Sequence, residues 1–131
     1  MKTLETNRQV ALDTIQAIAA GDRDRMEELM HPALTWWVIG FGDFDRATLI
    51  DQIIGTFATA TVRRIDVIGT TAEDDRIAVR AESHFEFADG RTFAGKYLFL
   101  LVVREGQVID GCEYIDTAYV MSFMNGKSAA S

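Results

Sequence analysis

The stretch DRIAVRAESHFEFADGRTFAGKYLFLLVVREGQVIDGCEYID, residues 75–116, decides the fold. It reads as three long strands joined by two tight turns, Asp89-Gly90 and Glu105-Gly106. In the first strand Arg80, Glu82, His84 and Glu86 take every second position, and Ile77, Val79, Ala81, Ser83, Phe85 and Phe87 alternate with them. Successive side chains of a strand point to opposite faces. The strand therefore has an ionisable face and a largely apolar one. The apolar face belongs to a core. The ionisable face is either wet surface or the wall of a pocket.

Pairing across the turns shows what else would share that wall. Asp-Gly is the strongest short hairpin signal, and a two-residue loop there pairs Ala88 with Arg91. Glu86 then faces Phe93, His84 faces Gly95, Glu82 faces Tyr97 and Arg80 faces Phe99. The second turn fits a three-residue loop with Gly106 left-handed, which pairs Val103 with Gln107 and sets Tyr97 against Glu113. Directly opposed residues share a face. The expected wall is thus Arg80, Glu82, His84, Tyr97 and Glu113, with Phe93 and Phe99, and with Ile115 next to Glu113 on the same face. A slip of one residue in either loop exchanges the faces. The ionisable row would then lie on the outer sheet face, exposed or in a dimer contact, where its ion pairs contribute little.

Upstream the pattern is helical. Leu4, Ala11, Ile15 and Ile18 recur at helical spacing over Thr3–Ala20. Gly21 stops that helix, and Asp22 caps a second one that buries Met26, Leu29 and Met30 before His31-Pro32 ends it. His31 reads as a capping or surface residue. Ala33–Ile39 is aromatic and β-branched, so it reads as a strand on which Trp36 and Trp37 point to opposite sides. Gly40-Phe41-Gly42-Asp43 reads as a loop, and Asp45 caps a third helix with Ile50, Ile53, Ile54 and Phe57 inward. Val62–Thr71 opens a run of four antiparallel strands. Tyr119–Met124 is apolar enough to dock, and 126–131 reads as a frayed tail. This order gives an α+β fold with helices on one face of the sheet. It is expected to be one domain over residues 1–131, with an ordered core of about residues 3–124.

Composition narrows the function. A chain of 131 residues can bury a core without metals or disulfides. Its net charge of −7, with no basic cluster interleaved with aromatics, argues against nucleic acid as a partner. No apolar run is long enough to span a bilayer, and the N-terminus lacks the apolar core of a signal peptide. The single cysteine, Cys112, reads as a packed thiol in a reduced, cytoplasmic setting. No metal-ligand spacing, phosphate loop or nucleophile elbow is present, so the chemistry expected is free of metal and cofactor.

The element order, together with Gly21-Asp22, Trp36-Trp37, Asp89-Gly90-Arg91, Glu105-Gly106-Gln107-Val108 and Glu113-Tyr114-Ile115-Asp116, resembles the nuclear transport factor 2-like superfamily, in its SnoaL-like branch. The resemblance implies a cone-shaped α+β barrel, a curved sheet wrapped around helices to form a deep apolar pocket, and a homodimer through the outer sheet face. It favours the pocket side for the ionisable row. Polyketide cyclases, ketosteroid isomerases, limonene epoxide hydrolases and silent binders share this fold, so the fold alone does not assign the reaction.

Arg80-x-Glu82 with Glu113 is similar in kind to the Arg between two carboxylates of the epoxide hydrolases, with Glu in place of Asp. In such a trio the Arg holds one carboxylate ionised as base while the other stays protonated as acid. The first-strand positions that help place water in that branch correspond here to Thr35 and Trp37, a departure from its Tyr and Asn. His84 between Glu82 and Glu86 offers a second acid/base. The catalytic candidates are therefore Arg80, Glu82, His84 and Glu113. The ligand-binding candidates are Thr35, Trp37, Phe93, Tyr97, Phe99 and Ile115. The reading is a pocket protein for a small hydrophobic molecule, an isomerase, cyclase or hydrolase if catalytic. The alternative is a non-catalytic binding or dimeric accessory domain.

Overall fold

A computed structural model describes residues 2–126 of the chain. In order the elements are α1 (Lys2–Ala20), α2 (Arg23–Leu29), β1 (Met30–Val38), β2 (Gly42–Asp45), α3 (Arg46–Thr56), β3 (Ala60–Glu73), β4 (Arg76–Phe87), β5 (Thr92–Phe93), β6 (Lys96–Arg104), β7 (Gln107–Ile115) and α4 (Thr117–Met124). The strands form one curved, open sheet in the order β2-β1-β7-β6-β4-β3, with β5 paired to β4. Neighbours run antiparallel except β1 and β7, which are parallel. The N-terminal helices lie against one face of this sheet in the α+β cone layout. Among the described residues no helix is long and apolar enough to cross a membrane. The tail expected from residue 126 lies, from 127 onward, outside the described residues.

Short polar side chains start the helices as the sequence indicates. Asp22 accepts the Arg25 N–H at 3.1 Å and Asp45 accepts the Thr48 N–H at 2.8 Å. Asp116 does the same for Tyr119 at 3.1 Å, so the apolar segment after β7 is a capped helix. Two expectations change at β1. The strand starts at Met30, ahead of Pro32, and its pairing with β7 is irregular between Met30 and Thr35, which accommodates the missing proline N–H. Gly42 and Asp43, expected as the end of a loop, instead open β2, which pairs with β1 up to Asp45.

The two hairpin turns have the opposite lengths from those expected. At the first, Phe87 and Arg91 are joined by a hydrogen bond from the Phe87 N–H to the Arg91 carbonyl, 2.9 Å, so the loop is Ala88-Asp89-Gly90. Only Gly90 in it is left-handed, at φ +90°. A two-residue type I′ turn needs positive φ at both central residues, and Asp89 lacks it. At the second turn Glu105 and Gly106 are both left-handed, at φ 51° and 79°, and Arg104 pairs directly with Gln107. That two-residue turn alone would have sent Glu113 outward. A bulge intervenes: Val103 pairs with Val108 but Val102 with Asp110, leaving Ile109 extra. Glu113 thereby returns to the inner face, opposite Phe99.

The first change reverses β4. Phe85 faces Phe93, Ala81 faces Tyr97 and Val79 faces Phe99. Ile77, Val79, Ala81, Ser83, Phe85 and Phe87 are buried in the core, and Arg80, Glu82, His84 and Glu86 occupy the outer face. The pocket-side placement of that row is corrected accordingly, for the reason of parity: one more loop residue carries every β4 side chain to the other side.

The parallel β1–β7 pair sets Trp36 beside Gly111. Trp36 is fully buried, and a Cβ on Gly111 would sit on its indole ring, 2.8 Å from Cδ2. Gly111→Ala is therefore expected to lower stability by about 1–3 kcal/mol through overpacking, read as a fall in the urea midpoint; an unchanged midpoint would mean the indole is free to shift.

Candidate functional site

A cavity of about 230 Å³ lies between the inner sheet face, the end of α1, and helices α3 and α4. The sheet contributes Val38, Ile65, Phe85, Phe93, Tyr97, Phe99, Glu113 and Ile115; α3 contributes Leu49, Gln52, Ile53 and Thr56; α4 contributes Val120, Phe123 and Met124. Stacked rings form much of the wall. Phe57 lies 4.1 Å from Phe85 and Tyr97 lies 5.1 Å from Phe99, centroid to centroid. Helix α4 is tied across the opening by Tyr119, whose hydroxyl accepts the Ala94 N–H at 2.7 Å. Arg91 adds a bond to the Phe123 carbonyl at 3.1 Å and stacks over its ring at 4.4 Å. At 230 Å³ the space is below the roughly 300–1,000 Å³ typical of pockets for drug-sized ligands, which suits a smaller occupant.

Glu113 is the only carboxylic side chain among the lining residues. The Trp36 indole N–H donates to its Oε1 at 3.0 Å. No other protein hydrogen bond reaches the carboxyl among the described residues, and Oε2 is left to the cavity. Burial in apolar surroundings disfavours the charged form and outweighs the stabilising indole bond, lifting the carboxyl from 4.5 to about 7. The residue keeps some accessible surface because one side of it borders the cavity, while the protein encloses the rest of the carboxyl. Burial also pushes the Tyr97 phenol up, so this hydroxyl stays protonated.

Of the sequence-derived candidates, the structure brings Phe93, Tyr97, Phe99, Glu113 and Ile115 together around the cavity. The others are elsewhere. Arg80 and Glu86 are exposed on the outer face. Glu82 pairs loosely there with Lys96 at 3.8 Å, and His84 bonds Glu86 at 2.7 Å. The sheet therefore separates Arg80 and Glu82 from Glu113, and the epoxide-hydrolase-like trio does not assemble. Thr35 and Trp37 are likewise corrected to the outer face: even positions of β1 point inward, and Trp37 packs edge-on against Tyr114 at 5.3 Å. Trp36 and Val38 hold the inner positions. The alternation Leu34-Thr35-Trp36-Trp37-Val38 carried that signal, since only the even positions are uniformly apolar. The α3 and α4 lining had no local signal beyond apolarity. Cys112 is half-buried on the outer side, where burial and then the neighbouring Asp110 and Asp43 push its thiol up, away from the reactive thiolate.

A sequence profile for the SnoaL-like domain matches residues 11–111, and the chain belongs to this family of the nuclear transport factor 2-like superfamily. Solved structures share the fold. PrhC from Penicillium brasilianum is 15% identical with a TM-score of 0.84, covering 94% of this chain and 88% of its own. The BvnE pinacolase from Penicillium brevicompactum is 17% identical at a TM-score of 0.80, covering 92% and 90%. A candidate SnoaL-like polyketide cyclase from Jannaschia sp. CCS1 is 20% identical at 0.77, covering 90% of each. A comparison with curated protein sequences finds no match.

The raised Glu113 pKa carries a stability signature. Between pH 4.5 and about 7 the unfolded carboxyl ionises while the folded one keeps its proton, so stability falls across this window and levels off above it. The full penalty is on the order of 3 kcal/mol, from about 1.4 kcal/mol per pH unit. Urea midpoints measured from pH 4 to 8 should decline through this window in the wild type, and Glu113→Gln should flatten that decline. Parallel profiles for the two proteins would place the carboxyl in water.

Proposed function

We propose that the protein takes a small hydrophobic molecule into the Glu113 cavity and moves a proton to or from it through that carboxyl, as a cofactor-independent cyclase- or isomerase-type enzyme. The observation that carries this reading is a single carboxyl, facing an apolar cavity and held near neutrality by burial. A group with a pKa close to the working pH is present in both forms and serves as acid or base. The polyketide cyclase and pinacolase names among proteins of the same fold support chemistry on small organic molecules in such a cavity.

The test begins with a thermal-shift screen of hydrophobic ketones and epoxides, followed by NMR product analysis of those that stabilise the protein. Turnover is expected, with kcat/KM titrating near pH 7. Glu113→Gln is expected to cost about 10²–10⁴-fold in kcat, the range of general acid/base contributions, while still binding. Stabilisation without turnover in the wild type would instead make this a non-catalytic binding domain.

The outer face suggests how the chain assembles. Leu98, Leu100 and Tyr114 are exposed there at 48%, 39% and 45%, next to Trp37. Arg80, Glu82 and Lys96 flank them with both signs of charge. A two-fold interface needs a patch that can complement itself. Exposed apolar side chains flanked by both signs of charge favour such a contact, and we assign this face to a homodimer. Leu98→Glu is expected to shift the sedimenting species to monomer; a wild type already monomeric at micromolar concentration would reject the assignment.

A further inference from the structure

Tyr97 presents a question of proton counting. Its hydroxyl lies 2.8 Å from Ser83 Oγ, and neither oxygen has a further side-chain partner among the described residues. Ser83 Oγ also accepts the Gly95 N–H at 3.0 Å. The two hydroxyls thus hold two protons, and the bond between them uses one. If Tyr97 donated to Ser83, the unused proton would belong to Ser83, which is 5% exposed and enclosed in the core. A buried donor left without an acceptor costs about 1–3 kcal/mol. If Ser83 donates to Tyr97, its own capacity is filled and the unused proton belongs to Tyr97, a cavity-lining residue.

The backbone fixes this arrangement. The Ser83 N–H donates to the Gly95 carbonyl at 2.9 Å, while the Gly95 N–H donates to the serine hydroxyl, so strand and side chain clamp each other. A Cβ on Gly95 would lie 2.6 Å from the Tyr97 hydroxyl oxygen and 2.8 Å from the Phe93 ring. Only a residue without a side chain leaves the phenol where Ser83 can reach it.

We propose that Tyr97, oriented by Ser83, donates a hydrogen bond to an oxygen of the bound molecule, which makes the ligand a small apolar compound bearing a carbonyl oxygen. This rests on the reading of the Glu113 cavity as a ligand site and adds its polar recognition element. Apart from Glu113, the other polar lining side chains, Gln52 and Thr56, belong to exposed positions of α3. Within the apolar interior of the cavity Tyr97 is therefore the donor that stays neutral and protonated on both sides of the Glu113 titration. It contacts the ligand, and Ser83 is a positioning residue.

A matched pair of probes tests this: α-tetralone and tetralin, one bicyclic skeleton with and without the carbonyl, titrated calorimetrically into the full chain. Wild type is expected to prefer the ketone by about 3- to 10-fold, the worth of one neutral hydrogen bond. The carbonyl stretch of bound α-tetralone should lie at lower frequency than in an apolar solvent. Tyr97→Phe, which keeps the ring stacking, should erase both the preference and the frequency shift while tetralin binds as before. Ser83→Ala should reduce the preference without removing it. If both probes bind and Tyr97→Phe leaves their ratio and the stretch unchanged, the donor assignment is overturned and the cavity reading stands. If neither probe binds the wild type, the cavity reading falls and this inference falls with it.

Discussion

Between Phe87 and Arg91 the chain spends three residues, and a strand has only two faces on which to use the consequence. That odd count sets Phe85 against Phe93 and Val79 against Phe99, and so puts a continuous aromatic and aliphatic surface beneath the helices. The second hairpin imposes the opposite demand. Its two-residue turn would turn Glu113 away from the core, and the extra residue at Ile109 restores it. Twist and packing can be adjusted by small amounts, but parity changes only by a whole residue, in a turn or at a bulge. Both the core and the cavity therefore depend on these two counts.

Within that frame one carboxyl sits where a carboxyl is costly. Burial penalises the charged form of Glu113, and a single indole hydrogen bond offsets only part of the penalty. Keeping the proton is the cheaper solution, and it places a titrating group in apolar surroundings. Trp36 can reach it because Gly111, its neighbour on the parallel strand, yields the space for the ring. The same economy of side chain recurs at Gly95, which lets the Tyr97 phenol meet Ser83. Two glycines thus position two polar groups in a wall that, apart from Gln52 and Thr56 of α3, is hydrocarbon.

The opposite face of the sheet is built on other physics. Arg80, Glu82, His84 and Glu86 stand in or near water, where their pairings are screened and add little to stability. Their regular spacing reflects strand alternation, and it is not the signature of a reaction centre. Interspersed with Leu98, Leu100 and Tyr114, they make that face a mixture of exposed apolar side chains and both signs of charge.

The sequence by itself determined the three N-terminal helices and the long strands in their order. It left β2, the break between β5 and β6 and the helical form of α4 to the structure. Helical spacing, the capping aspartates at 22 and 45, the alternation of β4 and the glycine-bearing turns are local signals, written within a few residues of where they act. The family ending around Glu113 marked the segment that carries the buried acid. Which face each strand buries was settled by tertiary structure. An Asp-Gly pair favours a two-residue turn but also fits a three-residue one with the glycine left-handed, and the choice falls to the register that buries the most apolar surface. The row from Arg80 to Glu86 went outward because burying four ionisable groups beside Phe93 and Phe99 would have cost far more than burying Ile77, Val79 and Phe85 gains elsewhere. Glu113 went inward because a bulge, with no marker of its own in the sequence, shifts β7 by one residue. Local chemistry wrote the strands, and the competition for the core decided which side of them does the work.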